Sequence, residues 1–404
     1  MLILICLLSI GMIVPCSSFA QIKPSQIPTV PLKDVSVEEL NLLFDETNQH
    51  FKFKAIEKYT DEICKELNGS VLISLDDHIL LHRHVGYLRL FENPNSYPAY
   101  TAAEMQTARV KNENLISEYT LFESASISKQ FTAAAVLKLV EQGRLALTDT
   151  LKSFFPELPY EKVTIHHLLT HTSGIPEYFD FEVAFFSDTS VLLTNQALIE
   201  LLAQKQPPTD FKPGDKFSYC NTNYALLASI VAQVSGKSFE QFVIEQLFTP
   251  ANLQNTFFRT QLSVKEPSVI AKGHLRNKEE VKPFYLDGTL GDKGIYTTIA
   301  DLYLWGQQLF KGNIISENSL KMGTSKQNYL SGNKKATEIY GYGLRIEENK
   351  NYGKLIFHGG LWRGFQNLYI YRPSDRCYII FLSNLRNNAH FRKSDEYFHL
   401  LDGV

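Results

Sequence analysis

The feature of this sequence that points most directly to chemistry is a serine and a lysine three positions apart, Ser126 and Lys129. They stand directly before an apolar run, residues 131–140, which contains three consecutive alanines and predicts a helix buried on all sides. Residues i and i+3 share one face of a helix, so the lysine amine can reach the serine hydroxyl. The helix N-terminus also favours a negative charge developing beside Ser126. The arrangement predicts a nucleophilic serine activated by a lysine.

The spacing alone is weak evidence, because residues 331–334 repeat it in a polar segment. That second pair has no apolar helix behind it to bury or aim the side chains. A solvated serine and lysine are the ordinary interpretation of such a pair, so the predicted buried helix is what favours Ser126.

A tyrosine and an asparagine, Tyr219 and Asn221, form the only Tyr-x-Asn in the chain. They lead into a predicted helix, residues 222–234, which Gly236 ends. A phenol beside a cationic lysine could ionise more easily and act as a base, and the asparagine amide could orient Lys129 or a substrate carbonyl. The alternative is a helix-capping asparagine next to a core tyrosine.

The third candidate segment is a strand-like run, residues 354–357, that leads into six further residues: His358, Gly359, Gly360, Leu361, Trp362 and Arg363. The two glycines leave the backbone bare, so a substrate can lie along this strand and bond to main-chain groups. A lone histidine before a turn is more often structural than catalytic, and that alternative remains open for the first of the six.

The elements that must position these residues change in type along the chain. Residues 51–67 and the middle of the chain have mostly helical patterns, whereas both ends contain strand-like runs. The predicted strands cover residues 70–74, 79–86, 342–346, 354–357, 365–371 and 377–383. Strands at both ends with helices between them indicate one sheet assembled from distant pieces, with a helical insertion.

We therefore predict an α/β (α+β) fold in which helices flank an antiparallel sheet. Residues 51–122 and 338–404 form the sheet domain, and residues 123–337 form a mostly helical domain.

Composition excludes several classes of function. The 404 residues are 44% apolar and 21% charged, which is typical of a globular chain. The chain has 40 basic and 43 acidic side chains, which gives a net charge of −3. This balance provides no basic field for a phosphate backbone, so we expect no nucleic acid partner.

The first twenty residues contain no Asp, Glu, Lys or Arg and are apolar to about Val14, with small residues at Ser18 and Ala20. This pattern predicts a signal peptide, residues 1–20, cleaved before Gln21, and a flexible lead over residues 21–50. The mature chain would be exported to the periplasm or the extracellular space. The apolar run is short of the ~20 residues that span a bilayer, so we expect no membrane span in the mature chain; an uncleaved anchor is the alternative.

In this order, the three candidate segments resemble the penicillin-recognising serine hydrolases, the β-lactamase-related family that includes class C β-lactamases, DD-peptidases and serine esterases. The likeness extends over roughly residues 50–385. Further segments that carry it are residues 121–138, 168–176 and 294–298, with Asp301 and Trp305. The resemblance implies a β-lactamase/DD-peptidase-like fold.

Carried over by position, the resemblance implies that Ser126 is the nucleophile and that Lys129 and Tyr219 form the base system. It implies that Asn221 makes a polar contact to the substrate. It also places residues 358–360 on a strand that forms one wall of the site.

The implied activity is that of an exported serine hydrolase that forms an acyl-enzyme on a small ester, amide or D-amino-acid peptide. The backbone N–H groups of Ser126 and Leu361 would form its oxyanion hole. The partner is then a small molecule or a short peptide, and no cofactor is needed. The alternative is a non-catalytic binding or sensor protein for cell-wall fragments or β-lactams, because a fold does not guarantee activity.

One position departs from the family pattern. Many β-lactamases and DD-peptidases begin the third segment with a lysine, a permanent cation, whereas this chain has His358, largely neutral at pH 7. The change weakens the case for a potent β-lactamase and leaves esterases, amidases and D-amino-acid peptidases open. We hypothesise that Arg363 restores the cation, with Trp362 as an apolar wall; the alternative is a solvated arginine.

Three histidines close together, His166, His167 and His171, could suggest a metal site. No cysteine or carboxylate stands near them with ligand spacing, and the resemblance places His171 in a structural loop. We expect no metal.

Overall fold

The computed structural model describes residues 48–90, 114–186, 188–262, 269–326, 328–329, 338–387 and 389–402. The predicted signal peptide, nearly all of the lead and the second Ser-x-x-Lys pair lie outside these residues. Contacts gather the described residues from Phe51 onward into one compact unit. The division of residues 51–404 into a sheet domain and a helical domain stays a prediction.

The described helices and strands follow the expected order along the chain. The helices are α1 (Asn48–Cys64), α2 (Lys129–Glu141), α3 (Ile165–Leu169), α4 (Asn195–Lys205), α5 (Asn221–Ser235), α6 (Phe239–Val243), α7 (Arg259–Leu262), α8 (Ile299–Phe310), α9 (Glu317–Gly323) and α10 (Ala389–Asp402). The strands are β1 (Gly69–Leu75), β2 (His78–Val85), β3 (Phe122–Glu123), β4 (Thr256–Phe258), β5 (Ile295–Thr297), β6 (Asn328–Tyr329), β7 (Glu338–Tyr340), β8 (Arg345–Asn349), β9 (Gly353–Trp362), β10 (Phe365–Arg372) and β11 (Cys377–Ser383). Within these ranges no helix is both long and apolar enough to cross a bilayer.

The large sheet joins strands from both ends of the chain. Its order is β2-β1-β11-β10-β9-β8-β7-β6, and every neighbouring pair is antiparallel. The hairpin of β1 and β2 pairs with the C-terminal strands through β11, with Val71 opposite Phe381. A second sheet contains β3, β5 and β4. The predicted antiparallel sheet flanked by helices is confirmed.

Helices cover both faces of the large sheet. On one face, Val71 and Ile73 of β1 pack with Ile56 of α1 and Tyr397 of α10. On the other face, Leu72 joins the larger core, to which α2, α5 and α8 contribute. Successive strand residues point to opposite faces, so a strand covered on both sides must be apolar at nearly every position. The first six residues of β1 are accordingly buried.

The helix behind the Ser-Lys pair is buried, as predicted. Ten of the thirteen residues of α2 are buried, and the ring of Phe131 stacks on Trp305 of α8 at 4.2 Å between ring centroids. This packing fixes the start of α2, where Lys129 lies. Gly236 ends α5 with φ 70°, a conformation that glycine adopts without strain.

The strand predicted at residues 342–346 is wrong in its boundaries. The backbone turns at Gly343, which has φ 71°, and β8 begins only at Arg345. A Cβ atom on Gly343 would lie 2.5 Å from the carbonyl oxygen of Lys129, so the turn packs against the first residue of α2. An alternating apolar pattern does not reveal a left-handed residue inside it.

Candidate active site

Ser126 lies on a single 3₁₀ turn, Ala125–Ser128, that runs directly into α2. Ala125 has φ 52°, a left-handed conformation that is strained for a residue with a Cβ atom. Ser126 is partly exposed, whereas the residues on either side of it are buried. The turn therefore presents the Ser126 hydroxyl at the surface of an otherwise buried segment.

Lys129 is fully buried, and its amine donates three hydrogen bonds. The acceptors are Ser126 Oγ at 3.1 Å, Asn221 Oδ1 at 2.8 Å and the carbonyl oxygen of Asp292 at 2.8 Å. These acceptors match the three protons of an ammonium group. The predicted contacts of Lys129 with Ser126 and with Asn221 are both present.

The pKa of the Lys129 amine lies close to neutral pH. Burial lowers the pKa of its amine to about 8, although the nearby Asp292 and Glu177 carboxylates favour the charged form. Of its three hydrogen-bond partners, only the Ser126 hydroxyl can also donate a proton. A neutral Lys129 can keep two bonds to Asn221 and Asp292 and direct its lone pair at Ser126. The geometry therefore suits proton transfer from Ser126 to Lys129.

The amide of Asn221 is held in one orientation. Its Nδ2 atom donates to Glu177 Oε2 at 2.8 Å, and its backbone N–H donates to the same oxygen at 2.6 Å. The Oδ1 atom is therefore directed at Lys129. Asn221 is the first residue of α5, and the capping position is Cys220. Asn221 thus orients Lys129, and the helix-cap alternative does not hold.

Tyr219 lies over Lys129, with the lysine Nζ 4.9 Å from the centroid of its ring. Its hydroxyl oxygen is buried and has no hydrogen-bond partner. Burial raises the pKa of the phenol well above its ordinary value, although Ser126 and Arg345 act in the opposite direction. The expectation that Tyr219 ionises easily is therefore wrong, because loss of solvation outweighs the neighbouring positive charge. The phenol remains a proton donor at neutral pH.

A cavity of about 670 Å³ opens above Ser126. Eight of the residues predicted for the site line it: Ser126, Tyr219, Asn221, His358, Gly359, Gly360, Leu361 and Trp362. The strand β9 forms one wall of the cavity and packs closely on the 3₁₀ turn of Ser126, which we call the serine turn. A Cβ atom on Gly360 would lie 2.3 Å from the carbonyl oxygen of Ser124, the residue directly before this turn. The bare backbone expected of the two glycines thus also serves this close packing.

His358 is a neutral, fully bonded side chain. Its Nδ1 atom lies 2.7 Å from the carbonyl oxygen of Gly359, which can only accept, so Nδ1 carries the proton. Its Nε2 atom then accepts from the Tyr340 hydroxyl at 3.0 Å. Burial lowers the pKa of His358 well below its ordinary value, and Arg345 and Lys129 lower it further. The third segment therefore supplies no cation at this position.

The structure does not bring Arg363 to the cavity. Arg363 and Gly364 form the two-residue turn between β9 and β10, and both have positive φ. The Arg363 guanidinium lies 4.8 Å from the ring centroid of Phe284 and donates to the carbonyl oxygen of Lys282. The hypothesis that Arg363 supplies the cation is corrected, because the turn directs this side chain away.

Three charged residues that the sequence analysis did not single out line the cavity instead: Asp292, Lys293 and Arg345. Lys293 Nζ lies 3.1 Å from Asp292 Oδ2 and 4.8 Å from the ring centroid of Trp362. Arg345 lies 5.6 Å from the ring centroid of Tyr219. The first two form a charged pair between Gly291 and Gly294, directly before a family-like segment, and that pattern could have identified them.

The three histidines considered for a metal have other contacts. His166 Nδ1 bonds with the Tyr342 hydroxyl at 2.9 Å, and His167 Nδ1 accepts from the backbone N–H of Thr164, the capping residue of α3, at 3.2 Å. His171 is fully buried and accepts from the Cys220 backbone N–H at 3.1 Å. The described ranges contain no cluster of side chains suited to hold a metal ion.

Comparison with known proteins now identifies the family. The family model for β-lactamase matches residues 62–403, most of the chain. The chain belongs to the β-lactamase family. This membership, together with a D-aminopeptidase among the relatives, indicates serine hydrolase activity. The prediction of an enzyme is therefore confirmed, and the alternative of a non-catalytic binding protein is not favoured.

Individual members of the β-lactamase family resemble the chain over much of its length. Penicillin-binding protein 4* of Bacillus subtilis is 30% identical over 342 residues, which cover 81% of this chain and 70% of that protein. A D-aminopeptidase of Brucella canis is 26% identical, and the match covers 65% of this chain but only 50% of that protein. The octameric penicillin-binding protein homologue from Pyrococcus abyssi has a TM-score of 0.70 and 25% identity, with 87% of this chain and 77% of that chain covered.

The perturbed pKa of Lys129 predicts a pH-dependent stability. The folded chain releases the Lys129 proton near pH 8, whereas a lysine with the ordinary value holds it to about 10.5. Between these values the unfolded state binds more protons, so stability rises with pH. From pH 7 to 10, the free energy of unfolding of the wild type should gain roughly 2 kcal/mol relative to Lys129→Met.

Urea unfolding at several pH values measures this difference. Lys138→Met, which removes a half-buried lysine from the same helix, is the matched control. Parallel stability curves for the wild type and Lys129→Met would contradict the buried, easily deprotonated amine.

Proposed function

We propose that this chain is an exported hydrolase that uses Ser126 to form an acyl-enzyme on a small ester, amide or D-amino-acid peptide. The observation that carries the proposal is the hydrogen bond between Lys129 Nζ and Ser126 Oγ at the foot of the cavity. The bond links a partly exposed nucleophile to a buried amine whose pKa is about 8. The N-terminal sequence pattern supports export.

Acylation begins with neutral Lys129. The Ser126 proton moves to Lys129 Nζ as Oγ bonds to the substrate carbonyl carbon, and the carbonyl π electrons move onto oxygen. The backbone N–H groups of Ser126 and Leu361, which both line the cavity, stabilise that oxyanion. When the oxyanion collapses, the bond to the leaving group breaks and the acyl group remains on Ser126 as an ester.

Tyr219 protonates the leaving group. Its hydroxyl is unpartnered and its raised pKa keeps the proton on the phenol at neutral pH. Lys129, protonated in the first step, returns a proton to Tyr219 as the leaving group departs. Water then attacks the acyl carbon while Lys129 accepts the water proton. The bond between Ser126 Oγ and the acyl carbon breaks, Lys129 returns the proton to Oγ, and the acid product leaves.

The cavity wall favours a substrate with both an apolar group and a negative charge. Phe179, Phe357 and Leu368 add apolar surface to that of Leu361 and Trp362. The cations that line the cavity are Lys293 and Arg345. We assign to Arg345 the carboxylate contact that the third segment lacks, since a guanidinium binds carboxylates well. The D-aminopeptidase relative supports a D-amino-acid substrate.

Removal of the nucleophile is the direct test of the proposed chemistry. Ser126→Ala should lower hydrolysis of a p-nitrophenyl ester at least about 1,000-fold, because no acyl-enzyme can form. Ser331→Ala, in the chain's other Ser-x-x-Lys, is the matched control and should keep full activity. Retention of ester hydrolysis in Ser126→Ala, or its loss in Ser331→Ala, would show that the nucleophile is assigned wrongly.

Substitution of the cavity arginine tests the substrate class. Arg345→Met should lower kcat/KM about 10-fold or more for a peptide ending in a free carboxylate and change that for a neutral ester little, since only the first loses an ion pair. Arg363→Met removes an arginine that does not line the cavity and should spare both substrates. Equal losses on the two substrates in Arg345→Met would contradict the carboxylate contact.

A further inference from the structure

A buried carboxylate, Glu123, lies behind the serine turn. Only 1% of its surface is exposed, and it occupies β3, three residues before Ser126. The chemistry proposed above does not use it. A carboxylate is rarely buried to this degree unless it is paired or hydrogen-bonded, so its contacts indicate its role.

One oxygen of Glu123 accepts from two backbone amides in different parts of the chain. Oε1 lies 2.9 Å from the Gly294 nitrogen and 3.3 Å from the Ala125 nitrogen. Both donors have left-handed backbones, with φ 96° at Gly294 and φ 52° at Ala125. The strained Ala125 conformation needs a contact that offsets its cost, and this hydrogen bond is such a contact.

The two amides belong to the backbone segments that hold the reacting atoms. Ala125 precedes Ser126, whose Oγ is 3.1 Å from Lys129 Nζ. Gly294 follows two residues after Asp292, whose carbonyl oxygen is 2.8 Å from the same nitrogen. We propose that Glu123 is a positioning residue that fixes the serine turn relative to the loop of Asp292, and so sets the distance from Ser126 Oγ to Lys129 Nζ. This inference rests on the proposed role of Ser126.

The surroundings of Glu123 indicate that its oxygen acceptor matters more than its charge. Arg259 and Lys293 face it as cations, Asp287 as an anion and Tyr296 as a phenol beside the carboxyl. Burial raises the pKa of Glu123 to about 7, so both protonation states occur near neutral pH. Each state retains an oxygen that can accept from the two amides.

Two substitutions separate length from charge. Glu123→Gln keeps the length and the oxygen acceptor but loses the charge, whereas Glu123→Asp keeps the charge and draws the oxygens back by one methylene. The measurement is the second-order rate of labelling of Ser126 by a fluorophosphonate at pH 9, read by peptide mass spectrometry, with thermal unfolding as the test of folding. Glu141→Asp is the matched control, because Glu141 also accepts from a backbone amide, that of Ser316, at the far end of α2.

If the length of the Glu123 side chain positions the turn, the labelling rate of Glu123→Gln should lie within about threefold of the wild-type rate. Glu123→Asp should label about 100-fold more slowly, as expected for a reacting group displaced by about 1 Å, and Glu141→Asp at the wild-type rate. The proposal is overturned if Glu123→Asp labels as fast as the wild type, or if Glu123→Gln is as slow as Glu123→Asp. If Glu123→Asp does not fold, Glu123→Gln decides alone, and a loss beyond about tenfold overturns the proposal. Failure of wild-type Ser126 to label would instead remove the proposed function.

Discussion

A buried amine that must be hydrogen-bonded on three sides is the constraint on which this site depends. An ammonium group is costly to bury without partners, and Lys129 is fully buried. Its acceptors are Ser126 Oγ on the serine turn, Asn221 Oδ1, 92 residues after Lys129, and the carbonyl oxygen of Asp292, 163 residues after Lys129. The fold must therefore bring three distant segments to one point. The same burial that requires the three acceptors also lowers the pKa of the amine, and so produces a base at nearly neutral pH.

The architecture meets this requirement through close backbone contacts. The turn at Gly343 packs on the carbonyl of Lys129, and β9 packs on the carbonyl of Ser124 at Gly360. Neither position has room for a side chain, so the sheet and the serine turn approach each other to backbone distance. The antiparallel sheet, in which β1 pairs with β11, holds β9 in this place. The apolar packing of α2 fixes the other side.

The sequence predicted those parts of the site that depend on residue type and local spacing. Ser126 and Lys129 are three positions apart on a buried helix start, and Asn221 belongs to the only Tyr-x-Asn. The carbonyl oxygen of Asp292 could not be predicted in this way, because every residue has one and its role follows from tertiary structure alone. Arg363 is near the third segment in sequence but is directed away by its turn, whereas Arg345 reaches the cavity from a neighbouring strand. Apolar periodicity predicted most of the long strands of the large sheet, but it misplaced the strand that a left-handed Gly343 interrupts and did not predict the short strands β3 to β7.

The proposed chemistry requires that neutral Lys129 accepts the proton of Ser126. Its most direct test is the pH dependence of the rate at which a neutral fluorophosphonate labels Ser126, measured from pH 6 to 10. The deprotonated fraction of Lys129 rises with pH, so the labelling rate should increase to a plateau with a midpoint near the pKa of about 8. A rate that does not change over this range, or that falls as the pH rises, would contradict it.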